Sequence, residues 1–190
     1  ACGADALGFN FFKGSTRYIS PGKAAEICAQ VPAFVATVGL FVNEPLADVN
    51  RIIGSLRLGL VQFHGDETPE YCDSVGHLYM KALRATNRDQ IEVEAQSFQT
   101  AQAILVDTAT DGQFGGTGKT FDWRMLPDLA KPVVLAGGLD ATNVGAAIAA
   151  THPYAVDVSG GVERSRGVKD VAKMKKFVEA VQSADRSNNE

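Results

Sequence analysis

Three turns built around glycine are the groups in this sequence best suited to ligand chemistry. They are Gly115–Gly118, Gly137-Gly138 and Ser159–Gly161, and the last two directly follow short apolar runs. Glycine lets backbone N–H groups approach a ligand closely, and such groups at strand-to-helix junctions form a natural seat for phosphate. The sequence therefore predicts an anionic ligand held by backbone amides.

A carboxylate, Asp107, follows another apolar run, Ile104–Val106. If that run is a strand of a parallel barrel, its C-terminal end lies on the catalytic face. A carboxyl group close to apolar walls can be tuned as a general acid or base. An aspartate that caps a helix or loop fits the spacing equally well, and the residues alone leave both interpretations open.

Four other polar residues lie in segments that follow apolar runs. His64 could orient a substrate or relay protons, although a lone histidine is more often structural. Asp66 and Glu67 are predicted to cap the helix that starts near Thr68. Arg17 offers planar, paired donors that suit a carboxylate or a phosphate, although a single loop arginine is more often a solvated charge.

A long glycine-rich stretch, Asp111–Lys119, contains Gly116. A stretch of this kind between a strand and a helix is typical of a lid or a ligand-contacting loop. Its residues Gly115–Lys119 lack the spacing of a P-loop, so we do not expect a nucleoside triphosphate to bind there.

Short apolar runs alternate with amphipathic stretches along the whole chain. The runs predicted as strands are Ala6–Phe11, Thr37–Val42, Leu60–Phe63, Met80–Leu83, Ile104–Asp107, Val133–Ala136 and Ala155–Val158. The stretches predicted as helices are Pro21–Gln30, Pro45–Ser55, Pro69–Val75, Gln90–Phe98, Asp122–Leu129, Thr142–Ala150 and Val168–Ala184. Such repetition, with near-continuous apolar strands, favours a parallel sheet covered by helices.

An open doubly wound sheet and a closed barrel both fit this alternation, and the glycine turns favour the barrel. Phosphate sites after the last two strands recur in (β/α)₈ barrels, whereas the dinucleotide fingerprint follows the first strand. Only about seven strand–helix units are visible, so we expect that one unit once preceded Ala1. Residues 1–182 are predicted to form a single barrel domain, and residues 183–190 a polar tail.

Composition excludes several classes of protein. A net charge of -4 over 190 residues gives no broad electrostatic footprint for nucleic acid. The three cysteines and three histidines are scattered, which favours a reducing cytoplasm and argues against a zinc site. No apolar stretch is long enough for a membrane span, and the chain begins without the basic region of a signal peptide.

An ordered set of motifs makes the sequence similar to a known family. GFNFFKGSTRYISP, TVGLFVN, VQFHGDE, ILVDT, GGTGKTFDW, LAGGL and VDVSGGVE occur in this order. Through these motifs the chain resembles phosphoribosylanthranilate isomerase of tryptophan biosynthesis. The resemblance extends from Gly3 to about Val181. Single motifs such as AGGL are common among phosphate-binding barrels, but the ordered set is specific.

The resemblance implies a (β/α)₈ barrel that isomerises N-(5-phosphoribosyl)anthranilate by an Amadori rearrangement, without a metal or organic cofactor. Asp107 would be the general acid that protonates the ribose ring oxygen. Arg17 would hold the anthranilate carboxylate, and His64 would line the rim. The phosphate would rest on backbone groups of the two later glycine turns, at Gly137, Gly138, Ser159 and Gly160.

One departure from the family concerns the general base, which the resemblance implies to be the cysteine of a KxCGxT-type motif. That motif is absent from the chain, and we assign Cys2 to the end of the family's first helix rather than to catalysis. Since a general base contributes roughly a hundred- to ten-thousand-fold, this chain is expected to be impaired.

Two other interpretations stay open. The first is another phosphosugar barrel enzyme, such as indole-glycerol-phosphate synthase or a ribulose-phosphate epimerase. The synthase would need catalytic lysines, and Lys81 is the only visible candidate. A non-catalytic phosphate-binding remnant is the other. The expected partner is a small phosphosugar–anthranilate substrate. The sequence leaves open a monomer or homodimer, and a fusion or association with other tryptophan-pathway enzymes.

Overall fold

The computed structural model describes residues 2–85, 87–108, 123 and 126–188. The chain divides into two compact units. The N-terminal unit comprises Ala4–Ala82 and Ser97–Gln102, and the C-terminal unit comprises Ala1–Gly3, Leu83–Gln96 and Ala103–Glu190.

Strands and helices alternate through the N-terminal unit. Its elements are β1 (Ala6–Asn10), α1 (Pro21–Cys28), β2 (Ala36–Phe41), α2 (Leu46–Ser55), β3 (Leu60–Phe63), α3 (Pro69–Ser74) and the start of β4 (Tyr79–Ala85). Each of the first three strands pairs in parallel with the strand that follows it. The predicted parallel arrangement is confirmed in this unit.

The C-terminal unit continues the alternation after the end of β4. Its elements are α4 (Arg88–Ser97, whose last residue belongs to the other unit), β5 (Ala103–Thr108), β6 (Val133–Leu135), α5 (Val144–Thr151), β7 (Ala155–Val156), β8 (Glu163–Ser165), β9 (Val168–Lys169) and α6 (Val171–Asn188). β5, β6 and β7 pair in parallel, whereas β8 and β9 form an antiparallel hairpin. The strand order of the sheet is β1 to β7, which is the order along the chain.

Helix starts follow the capping signals of the sequence. The Ser20 hydroxyl accepts a hydrogen bond from the N–H of Lys23 at 3.3 Å, and the Thr68 hydroxyl accepts one from Tyr71 at 3.3 Å. A proline follows each cap as the first helical residue, where its missing N–H costs nothing. Among the described helices, none is long and apolar enough to cross a membrane.

The last predicted helix is wrong at both ends. Val168 and Lys169 pair with β8 instead of starting the helix, and Gly167 in the intervening turn has a φ of 81°. The helix α6 then begins at Val171 and runs past the predicted end, Ala184, into the stretch expected to be a tail. No glycine or proline stands between residues 184 and 188 to end it.

Two other helix predictions also differ from the structure. Leu126–Leu129, the described end of the predicted helix Asp122–Leu129, is not helical, because Pro127 lacks an N–H and disfavours the helical conformation of the residue before it. The helix predicted from Thr142 begins only at Val144.

Candidate active site

Asp107 and two of the glycine turns lie at the same end of the strands in the C-terminal unit. Val106 is level with Leu135, and Leu135 is level with Val156, in a parallel register. The N–H of Ala136 donates to the Val106 carbonyl at 2.9 Å, and that of Asp157 to the Leu135 carbonyl at 2.8 Å. Val106, Leu135 and Val156 therefore lie at one level, and Asp107 and the two turns come after these residues along the chain.

The turn after β6 has a backbone that only glycine adopts readily. Gly137 and Gly138 have φ values of 90° and 64°. The Asn143 side chain holds this turn: its amide nitrogen donates to the Gly138 carbonyl at 2.9 Å, and its oxygen accepts from the Asp140 N–H at 2.9 Å. A hydrogen bond from the Thr142 hydroxyl is the main reason that the pKa of Asp140 is lowered, so this carboxylate stays ionised.

The turn after β7 packs directly on the turn after β6. A Cβ atom placed on Gly161 would lie 2.0 Å from the Leu139 carbonyl oxygen, so only glycine fits. Within the described part of the chain, the N–H groups of Gly138 and Gly160 have no hydrogen-bond acceptor. Backbone N–H groups free to donate from adjacent turns can bind an anion such as phosphate.

The β8–β9 hairpin supports the second turn from behind. The Lys169 ammonium donates to the Ser159 carbonyl at 2.8 Å and lies 3.3 Å from the buried carboxylate of Glu163. Lys173 donates to the Glu163 carbonyl at 2.7 Å. The sequence did not predict a role for Lys169.

In the N-terminal unit, the loop after β1 carries Arg17, which is half-buried. The Asn10 side chain accepts from the N–H of Phe12 at 2.9 Å and donates to the Ser15 hydroxyl at 3.3 Å. That hydroxyl in turn accepts from the Arg17 N–H at 3.1 Å. Asn10, a polar residue at a strand end that the sequence analysis did not single out, thus fixes the loop from which Arg17 extends.

His64 lies at the same end of the N-terminal strands as that loop, because Asn10, Leu40 and Gln62 are level in parallel register. Its ring nitrogen Nδ1 is 2.6 Å from the amide nitrogen of buried Gln62. This hydrogen bond fixes the orientation of the His64 ring at the strand end.

Glu67 does not cap a helix, so that prediction is wrong; Thr68 is the cap instead. The buried carboxylate of Glu67 accepts from Lys81 at 2.8 Å and from the N–H groups of Gly65 and Asn43 at 2.9 and 2.8 Å. The Lys81 ammonium also donates to the Gly65 carbonyl at 2.6 Å. Lys81, the candidate catalytic lysine of the alternative interpretation, is thus engaged in a buried ion pair.

Gly116 and the rest of the predicted ligand-contacting stretch lie outside the described residues. Among the residues that are described, no group of three or more histidine, cysteine, aspartate or glutamate side chains is placed to hold a metal ion.

The site combines parallel strand–helix units with an aspartate at a strand end and two glycine turns that carry backbone amides. These features define an enzyme of the phosphate-binding (β/α)₈ barrel class. Comparison with known proteins narrows the class. The family model for N-(5′-phosphoribosyl)anthranilate (PRA) isomerase matches residues 1–180, and the chain belongs to this family. Enzymes of the family act in tryptophan biosynthesis, as the motif resemblance implied.

Individual relatives agree with the family match. The N-(5′-phosphoribosyl)anthranilate isomerase of Pseudomonas putida strain F1 is 50% identical over 183 residues, which cover 96% of this chain and 89% of the relative. The phosphoribosylanthranilate isomerase structure from Thermotoga maritima has a TM-score of 0.86 at 38% identity, covering 96% of this chain and 90% of that one. A further structure of the enzyme, with a TM-score of 0.81 at 36% identity over 96% of this chain and 89% of that one, contains reduced 1-(o-carboxyphenylamino)-1-deoxyribulose 5-phosphate.

Proposed function

We propose that Asp107 is the general acid in the isomerisation of N-(5-phosphoribosyl)anthranilate to 1-(2-carboxyphenylamino)-1-deoxyribulose 5-phosphate. The observation that supports this role is the common level of β5, β6 and β7, after which Asp107 and both glycine turns follow. A phosphate on the turn amides would hold the sugar at the strand end where the carboxyl group lies.

The reaction is a series of proton transfers and needs no oxidant. As the bond between the ring oxygen and the anomeric carbon breaks, Asp107 gives its proton to the oxygen, and the nitrogen lone pair forms a Schiff base. A base then removes the proton from the neighbouring carbon, and those electrons neutralise the nitrogen and form an enol. The enol then loses its hydroxyl proton and gains a proton at the former anomeric carbon, which gives the ketone of the product with the same atoms as the substrate.

Substrate binding is divided among groups of different chemistry. The backbone N–H groups of Gly137, Gly138 and Gly160, together with Ser159, bind the phosphate, because N–H groups in turns after parallel strands can hold an anion without a side-chain cation. Arg17 holds the anthranilate carboxylate through its paired donors. His64 lines the rim of the site, where the Gln62 amide holds its ring. Gly116 contacts the substrate from the glycine-rich stretch.

The cysteine base that the resemblance implies is not among the 190 residues. The alternative of a synthase gains no support, since Lys81 is paired with Glu67. A binding remnant without chemistry is the outcome that the experiment below separates from an isomerase.

The test compares the chain alone with the chain joined to the first strand of the Pseudomonas putida relative, both assayed for turnover of fluorescent phosphoribosylanthranilate. We expect the joined form to be active, and Asp107→Asn to lower its kcat roughly a hundred- to ten-thousand-fold with little change in KM. Asp128→Asn, which removes an exposed carboxylate, is the matched control. An inactive joined form that still binds product, or an Asp107→Asn variant at full rate, would refute the assignment.

We also infer a cytoplasmic enzyme that acts as a monomer or homodimer, alone or fused or associated with other tryptophan-pathway enzymes. Sedimentation of the purified chain distinguishes the two subunit counts.

A further inference from the structure

The turn that follows β7 is polarised by a lysine that lies outside the proposed substrate site. The carbonyl oxygen of Ser159 and the N–H of Gly160 belong to one peptide group and point in opposite directions. Lys169 donates to that oxygen at 2.8 Å, while the N–H has no acceptor among the described residues.

We propose that Lys169 is a positioning residue for phosphate recognition, which it serves through the peptide group between Ser159 and Gly160. Its ammonium fixes the plane of this peptide, so that the Gly160 N–H is directed away from the lysine and towards the phosphate. The charge also polarises the peptide, since hydrogen bonds in a chain strengthen one another by roughly 10–30% each. The inference rests on the proposed function, because it concerns the same phosphate turn.

The hairpin is built so that the lysine keeps this position. Glu163 on β8 is buried, and its carboxylate lies 3.3 Å from the Lys169 ammonium on β9. Glu163 and Lys169 are direct partners in the antiparallel register. Lys173 of α6 donates to the Glu163 carbonyl and ties the hairpin to that helix. The ammonium therefore has two fixed acceptors, one of which is the phosphate turn itself.

The turn after β6 limits how far the turn after β7 can move. Gly161 has no room for a Cβ atom against the Leu139 carbonyl, so the turn cannot shift freely to restore a lost orientation. When the lysine is removed, the Ser159 carbonyl loses its charged donor while the turn stays in place. The expected defect is therefore weaker phosphate binding rather than an altered fold.

The experiment measures dissociation constants of the 190-residue chain for two ligands by calorimetry. One is reduced 1-(o-carboxyphenylamino)-1-deoxyribulose 5-phosphate, and the other is the same compound without its phosphate. Lys169→Met should weaken binding of the phosphorylated ligand by roughly five- to twentyfold, as for loss of one charge-assisted hydrogen bond, and change the other ligand less than about twofold. Lys169→Arg keeps a charged donor and should restore most of the affinity.

Lys175→Met is the matched control, because it removes the same charge from an exposed position on α6. Equal weakening by Lys169→Met and Lys175→Met would overturn the proposal in favour of a general charge effect. Equal weakening of both ligands by Lys169→Met would overturn it in favour of a structural role. If the unchanged chain does not prefer the phosphorylated ligand, the assignment of this turn as the phosphate site is wrong, and the proposed function fails with it.

Discussion

Each unit contains a lysine that pairs with a glutamate and also donates to a backbone carbonyl. The two pairs differ in how deeply they are buried. Lys81 donates to the Gly65 carbonyl and pairs with Glu67, and Lys169 donates to the Ser159 carbonyl and pairs with Glu163. The side chains of the first pair are 4% and 2% exposed, whereas Lys169 is 42% exposed beside a glutamate at 5%.

Burial decides what each pair contributes. Breaking a buried pair leaves a charge with neither water nor an opposite charge beside it, so the protein loses stability. A lysine that still reaches water contributes little to stability, and its removal is felt by the groups that it orients. The same arrangement of atoms thus supports folding in the N-terminal unit and ligand recognition in the C-terminal unit.

The largest expected effect is on the buried pair. Lys81→Met should lower the free energy of unfolding by about 3–5 kcal/mol, because Glu67 is left as a buried charge. Urea denaturation followed by circular dichroism measures this. Adding Glu67→Gln in the same chain should recover part of the loss, since the neutral amide leaves no buried charge and its oxygen still accepts from a backbone N–H. A double variant no more stable than Lys81→Met would contradict this account.

A backbone contact, rather than an ion pair, should dominate the stability of the phosphate turns. Gly161→Ala places a methyl group 2.0 Å from the Leu139 carbonyl oxygen. We expect a loss of about 1–3 kcal/mol in unfolding free energy from overpacking, and weaker binding of the phosphorylated ligand. Gly145→Ala, at a helical glycine with open space around its Cβ position, is the control that should not destabilise. An unchanged Gly161→Ala variant would show that the turns are not in firm contact.

Alkaline pH should weaken the N-terminal unit through Tyr79, which lies in β4 two residues before Lys81. Burial raises the pKa of Tyr79 from 10.0 to about 12. The unfolded chain releases this proton near pH 10 and the folded chain keeps it to about pH 12, so stability is complete below pH 10 and lost as pH rises to 12. Denaturation between pH 9 and 12 should show a shallower loss for Tyr79→Phe than for Tyr154→Phe, which alters an exposed tyrosine.

The smallest expected effect is on stability at the exposed pair. Lys169→Met should lower the unfolding free energy by less than Lys81→Met does, because Lys169 is 42% exposed and water and salt screen its interaction with Glu163. Urea denaturation in low and high salt measures it. A loss as large as that of Lys81→Met would remove the distinction between the two pairs.

Most of the fold was predictable, because its signals are local. Apolar runs and proline-assisted caps such as Ser20-Pro21 gave the parallel strands and several helix starts. The β8–β9 hairpin was missed because Val168 and Lys169 also fit the amphipathic pattern of the helix that follows. The start of that helix depends on the turn at Gly167, which hydrophobic spacing does not reveal.

The proposed site was predictable only where its residues end strands. Asp107, His64 and the glycine turns were found in this way, and the register places the first and last of these at one level. Glu67 was misjudged because its partner, Lys81, is 14 residues away, and pairing across strands leaves no local signal. Lys169 was missed for the same reason, since its acceptor is a backbone carbonyl 10 residues earlier.

The close fit of Gly161 against Leu139 has a consequence for protein engineering. The loops after β6 and β7 can be exchanged only together, as one unit. A chimera that takes the loop after β6 from another barrel must take the loop after β7 from the same donor, or steric conflict will reshape both.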